Sequence, residues 1–242
     1  MPSSTTAAPV STAPIPIRDA VLAWIAGWFG GSLLSTVVFQ ASGAKSIAET
    51  PAGWILAAQV ALWLPMVAAT WYVGSRHGRG DLRRDYALTV RPIDLVGIPL
   101  GAAVQLLVLP LVYWPLGHAW PDTFGRSHLE KPARDLWNAG HGVGVAIIVL
   151  VVVVGAPLVE ELVYRGLLHG TFTRCSGRVT GTLLVAVWFA TIHFQPVQFP
   201  GLLVVGLVLG VAALRTGRLG LPILTHLAFN ATGLVMVAWV HS

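Results

Sequence analysis

The stretch GVGVAIIVLVVVVGAPLVEELVYRG, residues 142 to 166, places two adjacent glutamates and an arginine directly after a long apolar run. This run, from 142 to 159, contains no charged side chain and lacks the apolar–polar alternation of a half-exposed strand. A helix needs about 20 mostly apolar residues to cross a bilayer, where only helices and closed barrels satisfy their backbone polar groups. The stretch therefore predicts a membrane-spanning helix that carries ionisable side chains.

The whole chain has the composition of a multi-span membrane protein. Of its 242 residues, 55% are hydrophobic and 10% are charged, and the mean hydropathy is +0.73. The apolar runs that are long enough, or nearly long enough, to span are 19–42, 52–74, 92–116, 143–172, 179–194, 199–214 and 221–240. The predicted fold class is all-α, a polytopic helical membrane protein with about seven transmembrane helices. The two runs between 179 and 214 are short, so a re-entrant hairpin there, and a total of six or eight helices, remain alternatives to about seven.

The distribution of basic residues predicts the orientation, because cytoplasmic loops carry the excess of Lys and Arg. The linker 75–91 is the most basic, with Arg76, Arg79, Arg83, Arg84 and Arg91. If this linker lies on the cytoplasmic side, the alternation of the spans places on the same side Arg18, Arg174, Arg178, Arg215 and Arg218. The basic residues that then lie on the outer side are Lys45, Arg126, Lys131 and Arg134. The N-terminus is then on the cytoplasmic side of the cell membrane and the C-terminus on its outer side. The use of Arg rather than Lys favours a bacterial origin.

The chain divides into four predicted regions. They are a disordered N-terminal tail at 1–17, a three-span region at 18–117, an outer loop at 118–142 and a C-terminal helical core at 143–242. The net charge of +5 and the sequence pI near 10.0 follow from arginines at span ends, without any nucleic-acid motif. Composition and charge predict the lipid bilayer as a partner, and no nucleic acid. The single cysteine, Cys175, excludes an internal disulfide.

Two carboxylates remain after Asp135, namely Glu160 and Glu161, and both lie in the apolar stretch quoted above. Ionisable groups at such depth cost several kcal/mol unless they are paired or hydrated, which makes them functional candidates. Glu161 and Arg165 are four residues apart, so they share a helix face and can pair. Glu160 points about 100° away from Glu161, which leaves its carboxylate free for another partner.

Two further polar pairs follow in apolar helices. Phe189 and His193 are four residues apart in FATIHF, and His226 and Asn230 are four apart in THLAFN. The rise per residue puts these groups at depths at which they can meet Glu160. Glu160 can then take a proton from water with help from His193, while His226 and Asn230 donate hydrogen bonds to an oxyanion. A first alternative is a zinc ion held by Glu160, His193 and His226. A second is a structural role, because a lone histidine in a membrane helix usually only forms a hydrogen bond to a neighbouring helix.

Glu-Glu-x-x-x-Arg, Phe-x-x-x-His and His-x-x-x-Asn, in this order within apolar helices, resemble the CPBP (Abi) family of intramembrane proteases, which includes the type II CAAX prenyl endopeptidases. The resemblance covers about residues 140–240. It implies that Glu160 and His193 activate water and that His226 and Asn230 stabilise the oxyanion. Its supporting positions are Glu161, Arg165 and Phe189, the last of which packs. No HExxH motif occurs, which favours a metal-independent, glutamic-type site with no cofactor over a zinc site.

Three functions are compatible with these residues. The first is an intramembrane endopeptidase that cuts membrane-associated or lipidated substrates. The second is a non-proteolytic membrane partner, for example an immunity protein, and the third is a proton-coupled transporter that uses Glu160 as its relay. None of the motif residues recognises a lipid or a sequence, so the motifs leave the substrate and its prenylation open.

Overall fold

The computed structural model describes residues 14–240, with the side chain of Val240 left out, and the part of the predicted tail before Pro14 lies outside the described residues. Residues 14–240 form a helical bundle without strands. We number the main helices α1 (Ile17–Ala41), α2 (Ala52–His77), α3 (Pro92–Ala119), α4 (Arg126–Asn138), α5 (Val143–Ser176), α6 (Arg178–Ile192), α7 (Phe199–Thr216) and α8 (Gly220–Val240). Short helical turns lie in the linkers at Ile47–Glu49, Leu82–Asp85 and Pro121–Phe124.

Six of these helices are long and apolar enough to cross a membrane, counted over residues 14–240: α1, α2, α3, α5, α7 and α8. Helix α6 is equally apolar but has only 15 residues, which gives it a length of about 22 Å against a hydrocarbon core of about 30 Å. The predicted all-α, multi-pass membrane fold is therefore confirmed, and six spanning helices with one shorter apolar helix agree with a total of about seven.

The predicted outer loop contains a helix of its own. Helix α4 is amphipathic, and its polar face carries an ion pair between Arg126 and Glu130. It is tied to the rest of the bundle by a hydrogen bond from Gln198 Nε2 to the backbone carbonyl of Leu129, at 2.8 Å. Its apolar residue Leu136 packs on a buried cluster formed by α2 and α5. This segment is consequently a structured cover over one end of the bundle.

Helix α5 is the central helix of the C-terminal half. It contains two π-helical segments, Leu150–Gly155 and Glu161–His169. The first lies just before Pro157, whose missing N–H and bulky ring disturb regular α-helical hydrogen bonding. From 161 to 173 every residue is buried, so this part of α5 is enclosed by other helices on all sides. The residues of the first motif are thereby placed in the centre of the protein.

Helix α8, which carries the third motif, lies against α3 at very short range. A Cβ added at Gly101 would lie only 2.1 Å from the carbonyl oxygen of Thr225, and one at Gly97 would lie 2.8 Å from the Thr225 backbone nitrogen. Small residues allow this kind of close approach between membrane helices. The two glycines of α3 therefore determine how far α8 lies from the bundle axis.

We expect Gly101→Ala to destabilise the protein by about 1–3 kcal/mol, because the new methyl group meets backbone atoms of α8 that cannot rotate away. Thermal unfolding of the purified protein in detergent measures the effect. The matched control is Gly53→Ala, since a Cβ at Gly53 meets nothing within 4 Å. An equal melting temperature for both variants would contradict the close contact between α3 and α8.

Candidate active site

Five of the motif residues line one cavity, which lies between the C-terminal helices and the ends of α1 and α2 and has a volume of about 800 Å³. Glu160 enters it from α5, and Phe189 and His193 enter it from the last turn of α6 and the residue that follows this helix. His226 and Asn230 enter it from α8. The structure thus brings together the four side chains to which the sequence assigned chemistry, from helices that are distant along the chain.

A buried ion pair, formed by Glu161 and Arg165, lies beneath this cavity. Arg165 Nη1 donates to Glu161 Oε1 at 2.9 Å, and both side chains are almost completely excluded from solvent. The second terminal nitrogen of Arg165 lies 3.3 Å from the backbone carbonyl of Gly206 on α7. Since buried charges are tolerated only when they are paired and hydrogen-bonded, this arrangement stabilises the contact between α5 and α7.

Glu161 also holds His226, a contact that the sequence did not indicate. The Nδ1 atom of His226 lies 2.8 Å from Glu161 Oε1, the same oxygen that accepts from Arg165. An ionised carboxylate only accepts hydrogen bonds, so Nδ1 carries the proton of the imidazole. The ring orientation is consequently determined by Glu161, and Nε2 is the nitrogen turned towards Glu160.

The two adjacent glutamates therefore occupy different environments. Glu161 is fully buried, whereas the side chain of Glu160 is 23% exposed towards the cavity. Glu160 Oε2 lies 3.9 Å from His226 Nε2, which is too long for a direct hydrogen bond. Glu160 is the carboxylate of the pair that water can reach.

The side chain of His193 is oriented by its own helix. Its Nδ1 atom lies 2.6 Å from the backbone carbonyl of Phe189, so Nδ1 donates and Nε2 remains an acceptor. The ring of Phe189 packs edge-on against His193 with centroids 4.6 Å apart, and the Arg165 guanidinium lies 4.5 Å from its centroid on the other side. Phe189 therefore contacts both a histidine of the cavity and the buried Arg165 cation.

Asn230 is also held by a backbone group. Its Nδ2 atom donates to the carbonyl of Val152 at 2.8 Å, within the first π-helical segment of α5. A carboxamide nitrogen has two hydrogens, so one remains available for another acceptor. The backbone distortion in α5 thus coincides with the carbonyl that orients Asn230, which agrees with the frequent occurrence of π-bulges at functional sites.

The cavity extends from these residues to the ends of α1 and α2, which the sequence analysis left outside the chemistry. Thr36 of α1, Gln59 of α2 and Lys45 of the linker between them line it. The remainder of the lining is largely apolar and includes Val205 and Phe229. Polar residues such as Gln59 within an apolar run are a signal that could have pointed to this wall.

The zinc alternative requires Glu160, His193 and His226 to converge as ligands. No three His, Cys, Asp or Glu side chains are grouped to hold a metal ion anywhere in the described range 14–240.

Comparisons with known proteins match the segment that carries the motif residues of the cavity. Residues 142–232 match the family model described as type II CAAX prenyl endopeptidase Rce1-like. An uncharacterized 24.3 kDa protein from Escherichia coli is 32% identical over 96 residues, which are 38% of this chain and 44% of that protein. The match thus spans less than half of the relative's length. No solved structure matches the chain.

The matched segment begins before α5 and ends within α8, so it contains all three motifs. The resemblance inferred from these motifs is confirmed for this part of the chain. Residues 142–232, the part of the chain that carries the three motifs, are therefore similar to the Rce1-like family.

Proposed function

We propose that the protein is an intramembrane endopeptidase that hydrolyses peptide bonds of membrane-associated proteins or peptides. The observation that carries the proposal is the cavity in which Glu160, His193, His226 and Asn230 meet within an Rce1-like segment. The groups needed for hydrolysis are an accessible base, a way to orient water and donors for a developing oxyanion. This cavity offers each of them within the membrane-spanning part of the chain.

In the first step Glu160 takes a proton from a water molecule while the water oxygen attacks the substrate carbonyl carbon. The Glu160 carboxylate suits this role because it is the accessible one of the two adjacent glutamates. His193 supports the same step, since its Nδ1 proton is given to a backbone carbonyl and its Nε2 can accept from the water. General base catalysis of this kind contributes a factor of about 10²–10⁴.

The attack moves negative charge onto the carbonyl oxygen of the substrate. Asn230 can donate its second amide hydrogen to this oxygen, and His226 can donate from Nε2 in its protonated form. The Glu161 carboxylate accepts from Nδ1 and so holds the ring with Nε2 turned towards Glu160. Glu160 then returns its proton to the leaving nitrogen, and the C–N bond breaks. Every proton taken from water is thereby delivered to one of the two products.

The apolar lining of the cavity indicates the class of substrate. The walls from α5, α7 and α8 are mainly aliphatic or aromatic, with Val151, Val205 and Phe229 among them. An extended apolar peptide would bury its side chains against such walls, and a lipid attached to it would remain in the bilayer. We therefore propose a membrane-associated substrate, of which lipidated peptides are one kind.

The proposal is tested by comparing peptide C-termini across the proteomes of cells that express wild type, Glu160→Gln and His226→Ala at matched levels. New C-termini that occur only with the wild type would support proteolysis and would identify the substrates. If no such termini occurred, and a phenotype survived both substitutions, the protein would act as a non-proteolytic membrane partner instead.

We expect metal chelation to leave cleavage unchanged, because the proposed chemistry uses only side chains of the chain itself. The purified protein is incubated with a strong zinc chelator, and cleavage of an identified substrate and bound zinc are both measured. Loss of activity that zinc alone restores, together with stoichiometric zinc in the active sample, would contradict the metal-independent mechanism.

A further inference from the structure

A second, polar cavity of about 1000 Å³ lies at the other end of the bundle. Its walls are the linker 78–91 between α2 and α3 and the turn Thr216–Arg218 between α7 and α8. The catalytic cavity opens near the C-terminal end of α1, whereas this cavity lies near the N-terminal end of α1, beside Pro14. The motif residues do not contribute to it.

The linker that forms the first wall is rigidly held by buried residues. The carboxylate of Asp85 is buried and accepts hydrogen bonds from the backbone N–H groups of Arg79 and Asp81, at 2.9 to 3.1 Å. The hydroxyl of Tyr86 donates to the backbone carbonyl of Thr70 at 2.7 Å. Burial raises the pKa of Tyr86, so the phenol stays protonated and continues to donate. The wall is therefore preformed rather than assembled around a ligand.

The second wall is bonded to the first. The backbone N–H of Leu219 donates to the carbonyl of Ala87 at 3.1 Å. The guanidinium of Arg218 bonds both carboxylate oxygens of Asp94 at the start of α3, at 2.5 and 3.0 Å. Because these contacts join both linkers, the cavity has a defined shape and is more than a gap between independent loops.

The cavity carries an excess of positive charge. Its walls contain five arginines, Arg79, Arg83, Arg84, Arg91 and Arg218. Three carboxylates oppose them, Asp81 and Asp85 in the lining and Asp94 beside Arg218. The excess is therefore two positive charges. Within residues 14–240, Arg79 and Arg83 form no ion pair with any carboxylate. The Asp85 carboxylate accepts hydrogen bonds from backbone N–H groups of the linker, and Asp81 pairs with Arg84.

We propose that this cavity binds the phosphate group of an anionic phospholipid. Guanidinium groups bind phosphate oxygens in bidentate geometry, and an excess of two positive charges complements the charge of a phosphate ester. The cavity lies beside the ends of α2 and α7 and the start of α8, which puts it at the level of lipid headgroups. Residues 1–13 contain no Asp or Glu and so offer no competing carboxylate.

Such a lipid would act on the motif residues without touching them. Its phosphate would bridge the linker after α2 to the turn before α8, and α8 carries His226 and Asn230. We therefore expect the bound lipid to raise the melting temperature of the whole protein. This site is independent of the proposed proteolysis, because lipid binding is measured without a substrate.

The experiment measures lipid retention by native mass spectrometry, with the full chain in nanodiscs of phosphatidylcholine that contain phosphatidylglycerol or phosphatidic acid. The test variant is Arg79→Gln/Arg83→Gln, whose side chains are exposed and whose removal leaves the linker bonds intact. The matched control is Arg76→Gln/Arg215→Gln, which removes the same charge at the same end of the bundle, outside the cavity. Arg79→Lys/Arg83→Lys serves as the charge-retaining variant.

We expect the test variant to bind the anionic lipid at least about tenfold more weakly, from the loss of two cationic contacts, and the control to bind like the wild type. The Lys variant should recover part of the affinity, since it keeps charge but loses the bidentate geometry. Equal losses in the test variant and the control would overturn the proposal in favour of general attraction to the membrane surface. Displacement by inorganic phosphate without any retained lipid would overturn the assignment to a lipid.

Discussion

The Glu160→Gln variant is expected to fold like the wild type and to lose cleavage by a factor of about 10²–10⁴, the contribution of a general base. The amide keeps the size of the side chain but cannot take a proton from water. Glu160 is partly exposed to the cavity and forms no short hydrogen bond with His226, so the substitution leaves the buried pair beneath it unchanged. The loss should therefore appear in kcat/KM, with an unchanged melting temperature in detergent.

The control for this prediction is Glu49→Gln in the linker between α1 and α2. Glu49 is exposed and does not line the cavity, so the same chemical change should leave the rate as it is. Single-turnover cleavage of a substrate identified from the new C-termini measures both variants. Full activity of Glu160→Gln would show that another group is the general base. A similar loss in Glu49→Gln would show that the effect is not specific to Glu160.

The Glu161→Gln variant is expected to lose stability as well as activity. Glu161 Oε1 accepts from both Arg165 and His226, and all three side chains are buried. Removing the negative charge leaves the Arg165 guanidinium buried without an anion, a change that costs about 3–5 kcal/mol. It also releases the His226 ring from its orientation. Thermal unfolding and folded yield measure the first effect, and cleavage at low temperature measures the second.

Two further variants separate these effects. Glu130→Gln removes a carboxylate that pairs on α4 with the largely exposed Arg126 and with Arg134, and it should cost less than about 1 kcal/mol. The double variant Glu161→Gln/Arg165→Gln no longer buries an uncompensated cation, so it should regain stability relative to Glu161→Gln while staying inactive. If Glu161→Gln unfolded at the wild-type temperature, the Glu161–Arg165 pair would not stabilise the bundle. An active double variant would show that cleavage does not need the hydrogen bond between Glu161 and His226.

Most of the fold could be predicted because membrane helices are determined by local composition. The predicted runs 52–74 and 92–116 correspond to α2 and α3 within a few residues, and the long run at 143–172 corresponds to α5. Helix α4 lies in the segment for which the sequence analysis predicted only an outer loop. Its periodicity is evident, but its contact with the α6–α7 connection through Gln198 depends on distant residues.

The site was predictable to the level of which residues converge. Spacing along helices placed Glu161 with Arg165, and depth placed Glu160 at a level that His226 can reach; both proximities occur in the structure. The anchoring of Asn230 by Val152 was not predictable, because it depends on a π-helical segment of α5. The contribution of Thr36 to the cavity wall was not predictable either, since no motif marks α1.

By itself, the sequence determined that this protein is a bundle of membrane helices with ionisable groups in its C-terminal half. Hydropathy and helical spacing are properties of neighbouring residues, so they can be read without knowing how the helices pack. Only the tertiary structure decided that Glu161 serves Arg165 and His226 at once, and that Glu160 is the carboxylate open to water. Glu161 and His226 are 65 residues apart, and their contact depends on the close approach of α8 to its neighbours, which glycines and buried polar groups control in three dimensions.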